Sequence, residues 1–320
     1  MRDRIAALCL LLGLALCAGG GHANEWPQRP VKFVVGFAPG GANDIITRLL
    51  AQGLTDRMKM QFIVENRPGA SGRIASGYVA KEKPDGHTFM MGAPGLLVLN
   101  HFLFKDIDYK PADFAGVSLV GVLPYVLVVS PKLGVGSVAE LVALAKQKPG
   151  ALNHGSTGAG PILVQQLFKE RTGTQFQNVV YKGTTPALQD MMQGDLHFIF
   201  DLIAGNLAQI RAGTVRAIAV SAPKRSSSLP DLPTMEEAGI ANFSPTNWFG
   251  IVGPAAVPRP IVERLSQELI ALVNEPAFRQ RLTQLGAEPV GSTPADYDAF
   301  MRKEFVQWEA VARSAGIQKE

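Results

Sequence analysis

Cysteine is nearly missing from this chain. Its 320 residues hold 2, Cys9 and Cys17, both near the start. Beyond them no disulfide, reactive thiol or cysteine metal site is expected. Histidine is sparse too. The 5 histidines, His22, His87, His101, His154 and His197, include no i, i+4 pair, so the usual local signature of a metal site is lacking. No G-x-x-x-x-G-K-[ST] loop exists, and Gly155, Gly158 and Gly160 have the wrong spacing for a dinucleotide loop. Ser156 lies between glycines but follows His154 at the position where a nucleophile elbow needs glycine. No Lys/Arg-rich run with interleaved aromatics occurs, which argues against nucleic acid. No metal, cofactor or catalytic residue is therefore expected, and each histidine reads as a packed or surface residue.

Long apolar runs are missing after the first. Ile5 to Ala18 is apolar, follows Arg2 and Arg4, and precedes Gly21-His22-Ala23, with small residues at positions −3 and −1 before Asn24. That is the pattern of a cleaved signal peptide, residues 1–23, and the run is short for a membrane span. Leu16 before Cys17 is too bulky for a lipoprotein site. Without Arg2, Asp3 and Arg4 the mature chain has 29 basic and 26 acidic residues. This near balance names no polyanionic partner. Just under 300 residues with 47% apolar content suits two domains.

What is present is an alternation of strand-like and helix-like segments, the pattern of an α/β fold with mainly parallel sheets. The clearest unit is Val31 to Leu50. An apolar strand runs to Phe37, and Ala38-Pro39-Gly40-Gly41 breaks it. Asn43 or Asp44 then caps a helix with Ile45, Ile46, Leu49 and Leu50 on one face. A strand that enters a helix through glycines leaves backbone N–H groups free at the positive end of the helix dipole, a ready anion site. A second such turn, His154 to Pro161, joins another strand to another helix, with Pro161 at the first helical position. Its Ser156 and Thr157 hydroxyls are candidate donors, beside the amides of Gly158, Ala159 and Gly160. Both turns fall at the carboxyl ends of strands, where open α/β sheets bind ligands.

Two such tips could grip one carboxylate without any arginine. A charge at a helix N-terminus contributes about 0.3–1 kcal/mol, up to about 2 when partly buried. Hydrogen bonds to a charged group add about 1.5–3 kcal/mol each. Two tips and roughly four such bonds reach the ~8 kcal/mol of micromolar binding after the cost of association. Ala93, Tyr181 and Asp201, each at a predicted strand end, are further candidates for the wall, with Asp201 also read as a helix cap. Phe114 to Ser130, interrupted by Gly121 and Pro124, reads as two strands meeting at a crossover. With Pro245 to Gly253 it is a hinge candidate. The expected division is 24–122 with 247–320 as one domain and 123–246 as the other.

The chain resembles the Bug-type periplasmic solute receptors of tripartite tricarboxylate transporters. The resemblance rests on Gly36-Phe37-Ala38-Pro39-Gly40-Gly41 with Asp44, on Glu65 to Gly72 (ENRPGASG) and on Pro84-Asp85-Gly86-His87-Thr88. It continues through the Gly155 to Gly160 loop, Tyr181-Lys182-Gly183, Ala212 to Arg216, Leu229 to Thr234 and Pro254 to Pro258. It implies a two-domain Venus flytrap with the ligand cleft between domains. In that family a ligand carboxylate is held between two βα turns, which correspond here to Phe37–Asn43 and Ser156–Gly160. It also implies membrane permease subunits as partners and di-, tri- or aromatic carboxylates as ligands; a monomer is expected. Many relatives carry a Ser and a His-Leu pair after the second loop, where this chain reads Pro161-Ile162-Leu163. A less polar distal ligand group is expected from that change. A sensor that presents the carboxylate to a membrane signalling receptor is the alternative. A secreted hydrolase is a third reading without a nucleophile to support it.

Overall fold

The computed structural model describes residues 26–314 and 319. The signal-peptide reading, with its boundary between Ala23 and Asn24, lies outside the described residues. No helix among those described is long and apolar enough to cross a membrane.

Strand β1 (Val31–Val35) leads into helix α1 (Ala42–Met58), followed by β2 (Phe62–Asn66), α2 (Arg73–Ala80) and β3 (Thr88–Gly92). A π-helical turn at Gly95–Leu99 then runs into the short α3 (Asn100–Leu103). The sixteen-residue β4 (Phe114–Val129) carries the chain onward to α4 (Val138–Gln147), β5 (Asn153–Ser156), α5 (Ala159–Thr172) and β6 (Gln177–Val180). Next come α6 (Thr184–Gln193), β7 (Phe198–Leu202), α7 (Ile203–Ala212) and β8 (Arg216–Val220). The return strand β9 (Thr246–Pro254) precedes α8 (Arg259–Asn274), α9 (Pro276–Gln284), β10 (Glu288–Pro289) and α10 (Pro294–Ser314).

All ten strands belong to one curled sheet, ordered β2-β1-β3-β9-β4-β7-β5-β6, with β8 and β10 also on β4. The parallel pairs are β1 with β2 and β3, and β5 with β6 and β7; β4 and β9 insert antiparallel pairs between them. β4 is one strand where two were expected. Its Phe114–Pro124 segment pairs with β9, and its Tyr125–Val129 segment pairs with β7. Gly121 falls at a register shift. Pro124, which has no N–H to donate, stands where the partner changes, so the proline is tolerated inside a long strand. The chain thus builds two lobes on one backbone, joined by β4 and β9.

One continuous apolar core serves both lobes. In the first, Phe33, Phe62 and Phe89 pack between Leu50 and Leu54 of α1 and Leu265 and Leu269 of α8. In the second, Phe168, Phe176, Phe198, Phe200 and Phe243 interlock around His154. Each such side chain contributes about 1.5–3 kcal/mol when fully buried. His154 donates from Nδ1 to Asn178 Oδ1 (3.3 Å), while its Nε2 accepts from Phe200 N–H (3.3 Å), which assigns the tautomer. Burial lowers its pKa to about 3, so the ring is a neutral core residue.

Candidate functional site

The first glycine turn is locked by a buried carboxylate. α1 starts two residues earlier than a cap at Asn43 would place it, and three earlier than a cap at Asp44. Gly41 is the N-cap, in extended conformation and without side-chain capping, so neither Asn43 nor Asp44 caps the helix. Asp44 sits in the first turn, 3% exposed, and folds back on the loop. Its carboxylate accepts from Gly40 N–H (2.9 Å), Asn66 Nδ2 (2.9 Å) and Arg48 Nε (3.0 Å). Asn66 Nδ2 also donates to Phe37 O (3.1 Å). Desolvation pushes the Asp44 carboxyl up, but the bonds from Arg48, Gly40 and Asn66 together hold it below its ordinary value. Gly40 has φ of +86°, where a side chain is strained. The first N–H groups of α1 have no intrahelical acceptor and open toward a cavity lined by Gly41, Ala42 and Asn43.

The second turn offers its amides and not its hydroxyls. Gly158 caps α5, so Pro161 is the third helical position instead of the first. It still displaces no helical hydrogen bond, since those N–H groups are free in any helix. Ser156, fully buried, donates to Asn178 Oδ1 (2.5 Å) and does not line the cavity. Thr157 donates to Asp201 Oδ1 (3.3 Å). Both hydroxyls are engaged inside the lobe, Ser156 away from the cavity and Thr157 at its wall. The cavity wall here is Thr157, Gly158, Ala159, Gly160 and Pro161. Ala93 and Gly95 face it from the other lobe; a methyl on Gly95 would lie 3.7 Å from Ala159 N and 3.8 Å from Gly160 N.

Two more helix starts close the cavity. Gly183 and Thr184 begin α6, and Asp201 and Leu202 lead into α7; all four are lining residues. The sequence reading places Tyr181-Lys182-Gly183-Thr184 and Asp201 at strand ends near the cleft, but not Gly183 and Thr184 as a third helix start facing the ligand. It also missed Tyr125 and Asn247, which line the cavity from β4 and β9. No lysine or arginine is among the described lining residues. In this closed form the free space inside the cavity is small, about 40 Å3, below the ~300–1,000 Å3 of open small-ligand sites.

Four expected contacts of the first turn, Ala38, Pro39, Gly40 and Asp44, do not line this cavity. Gly40 is tied to Asp44, and Ala38 and Pro39 bridge the lobes. Ala38 N–H donates to Lys182 O (3.0 Å), and Thr185 Oγ1 donates to Pro39 O (2.8 Å). These bonds describe a closed cleft. Tyr181 is also outside the cavity. Its hydroxyl donates to Asp190 Oδ2 (2.7 Å), and the residue lines a larger neighbouring groove that shares Phe37 and Thr157 with the cavity.

Asp201 is the one carboxylate in the cavity wall among the described residues, 4% exposed. It accepts from Thr157, Thr184, Asn206 Nδ2 (3.2 Å) and the Leu202 N–H. Burial raises its pKa, and these four neutral donors only partly offset that. Leu202, not Asp201, is the N-cap of α7, and no side chain caps that helix, so the capping role expected for Asp201 is not observed; Asp201 stands one residue earlier, near the positive end of the helix dipole.

Against this geometry, the family model described as "Tripartite tricarboxylate transporter family receptor" matches residues 46–317. Protein BugT of Bordetella pertussis is 33% identical over 324 aligned residues, covering 99% of each chain. Among solved structures, R. palustris Rpa4515 with adipate superposes with a TM-score of 0.89 at 36% identity, covering 92% of this chain and 100% of that one. MatC from Rhodopseudomonas palustris with bound malate gives 0.84 at 29% identity, covering 90% and 100%. The two-lobed α/β architecture is that of periplasmic binding proteins. Family and fold are those of solute-binding receptors. The chain belongs to the tripartite tricarboxylate transporter receptor family, the Bug-type periplasmic solute-binding proteins.

Proposed function

We propose that this protein captures a small carboxylate in the periplasm and delivers it to the membrane permease subunits of a tripartite tricarboxylate-type transporter. The observation that carries this is the pair of free helix tips, Gly41–Asn43 and Gly158–Gly160, that line one cavity from opposite lobes without a lysine or arginine. Neutral amides at helix N-termini bind an anion by direct hydrogen bonds and dipole. The first lobe comprises 24–122 and 247–320, the second 123–246. The mature monomer begins at Asn24, after removal of residues 1–23. The carboxylate bridges both tips and stabilises the closed form, which is the form presented to the permease.

Phe37, Ala93, Pro161 and Leu202 give the cavity an apolar body. This supports the expectation of a ligand less polar than citrate, and relatives were solved with adipate and with malate. Titration calorimetry with adipate, malate, benzoate and citrate is expected to give micromolar affinity for adipate or benzoate and weaker binding of citrate. Tighter binding of citrate overturns the apolar preference; no heat from any of the four overturns the carboxylate reading.

One variant tests the first tip. A Cβ on Gly41 would sit 3.1 Å from Thr184 Oγ1, and the branches of a valine would fill the approach to the α1 amides. Gly41→Val is expected to weaken the best-bound acid at least tenfold, with the unliganded thermal midpoint little changed because the backbone there is extended. Unaltered affinity would remove this tip from the site.

A further inference from the structure

The two strands that join the lobes each carry one polar side chain that the glycine clamp leaves without a role. Tyr125 is the residue of β4 at which pairing passes from β9 to β7, and Asn247 on β9 pairs with Leu123 just before it. They are 3% and 5% exposed, and both line the cavity. Among the described residues, neither the Tyr125 hydroxyl nor the Asn247 amide has a hydrogen-bond partner within the protein, and neither is among the sealed-off unpaired atoms, so both present a free polar atom to the cavity. A polar group left free at a cavity wall is available to something that enters the site.

Their positions say what that something is. A methyl on Gly160 would lie 2.3 Å from the Tyr125 hydroxyl oxygen, so the hydroxyl stands on the flank of the α5 tip. Burial, and then the nearby Asp201 charge, raise the Tyr125 pKa, which keeps the phenol a donor. Asp201 is the one charged group acting on it. A phenol donor beside free helix amides is suited to a carboxylate oxygen. The Asn247 side chain offers both a donor and an acceptor.

We infer that Tyr125 and Asn247 form a third binding surface of the site, on the hinge strands, with Tyr125 donating to the ligand carboxylate and Asn247 holding a second polar atom of the same ligand. The inference rests on the carboxylate reading above and extends it. A ligand held there touches both lobes and the two strands that must bend between them, so occupancy is coupled to the hinge itself.

Tyr125→Phe, Asn247→Ala and Asn247→Asp test this, with whichever of adipate, malate, benzoate and citrate binds the unaltered protein tightest as the probe. Tyr125→Phe and Asn247→Ala are each expected to weaken that acid roughly ten- to hundredfold, the effect of one hydrogen bond to a charged group. Their unliganded thermal midpoints should stay close to the starting protein's. Asn247→Asp keeps the shape and adds a negative charge, and should weaken binding more than Asn247→Ala; a merely structural asparagine would show the reverse order. Either Tyr125→Phe or Asn247→Ala binding within twofold of the unaltered protein overturns the inference and leaves the carboxylate reading standing. An unaltered protein indifferent to all four acids overturns both.

Discussion

Gly183→Val is expected to lower affinity for the captured acid roughly thirtyfold or more while each lobe stays folded. Gly183 is the N-cap of α6 with φ of 163° and ψ of 180°, extended backbone that valine adopts readily. A Cβ there would lie 2.9 Å from Ala38 Cβ, 3.0 Å from Ala38 N and 3.4 Å from Ala38 Cα. The nearest atoms all belong to the opposite lobe. The clash is with backbone, so no rotamer change relieves it; the loops must part. Parting them also breaks the Ala38–Lys182 and Thr185–Pro39 hydrogen bonds across the cleft. Overpacking costs about 1–3 kcal/mol, and two hydrogen bonds add about 0.5–1.5 kcal/mol each. The whole penalty falls on the closed form, so apparent affinity drops by the same factor. Calorimetry reads the loss, and small-angle scattering at saturating acid reads a radius that fails to contract. The unliganded thermal midpoint should hold or rise slightly, because valine restricts the unfolded chain. Affinity within threefold of the starting protein would show that the lobes need not meet at this contact for capture.

The elements that sequence conveyed well are those fixed by local chemistry. Ser137 accepts from Glu140 N–H (3.2 Å) at the start of α4, the Ser-x-x-Glu spacing of a capping box written in the local sequence. Both glycine turns lead from strand to helix because glycine breaks one and the following apolar period sustains the other. What sequence could not convey is which atoms of those turns face inward. Ser156 and Thr157 look like ligand hydroxyls until Asn178 and Asp201, 22 and 44 residues away, are brought beside them. Ala38 and Pro39 look like cavity wall until the second lobe arrives at Lys182 and Thr185. Tyr125 and Asn247 carry no local signal at all. Each stands in an apolar β-rich stretch, and only the pairing of β4 with β9 brings them to one place. Long-range pairing, not propensity, decided these positions.

Asp44→Ala is expected to cost about 2–4 kcal/mol of stability although Asp44 lies outside the cavity. Removing the carboxylate leaves the Gly40 N–H without its acceptor and takes one of two acceptors from Asn66 Nδ2. Each hydrogen bond to the Asp44 carboxylate is worth about 1.5–3 kcal/mol, and less here because Gly40 is exposed and Asn66 half-buried. Arg48 adds little, because its side chain is 51% exposed and keeps a bond to Asn66 Oδ1 (2.9 Å). In a chain of this size about 2–4 kcal/mol lowers the thermal midpoint by roughly 4–10 °C. Affinity should fall as well, since the Gly40 turn is no longer held and the α1 tip loses its fixed aim. The pH dependence separates charge from shape. The Asp44 carboxyl is held below its ordinary value of 3.8, so its stabilisation is complete above that value and fades as pH falls through the folded-state pKa. Thermal midpoints of the two proteins should therefore differ by a constant amount from about pH 7 to about pH 5 and converge in stronger acid. A gap that persists unchanged to about pH 2 would assign the loss to the missing side-chain volume and not to the carboxylate that fastens the glycine turn.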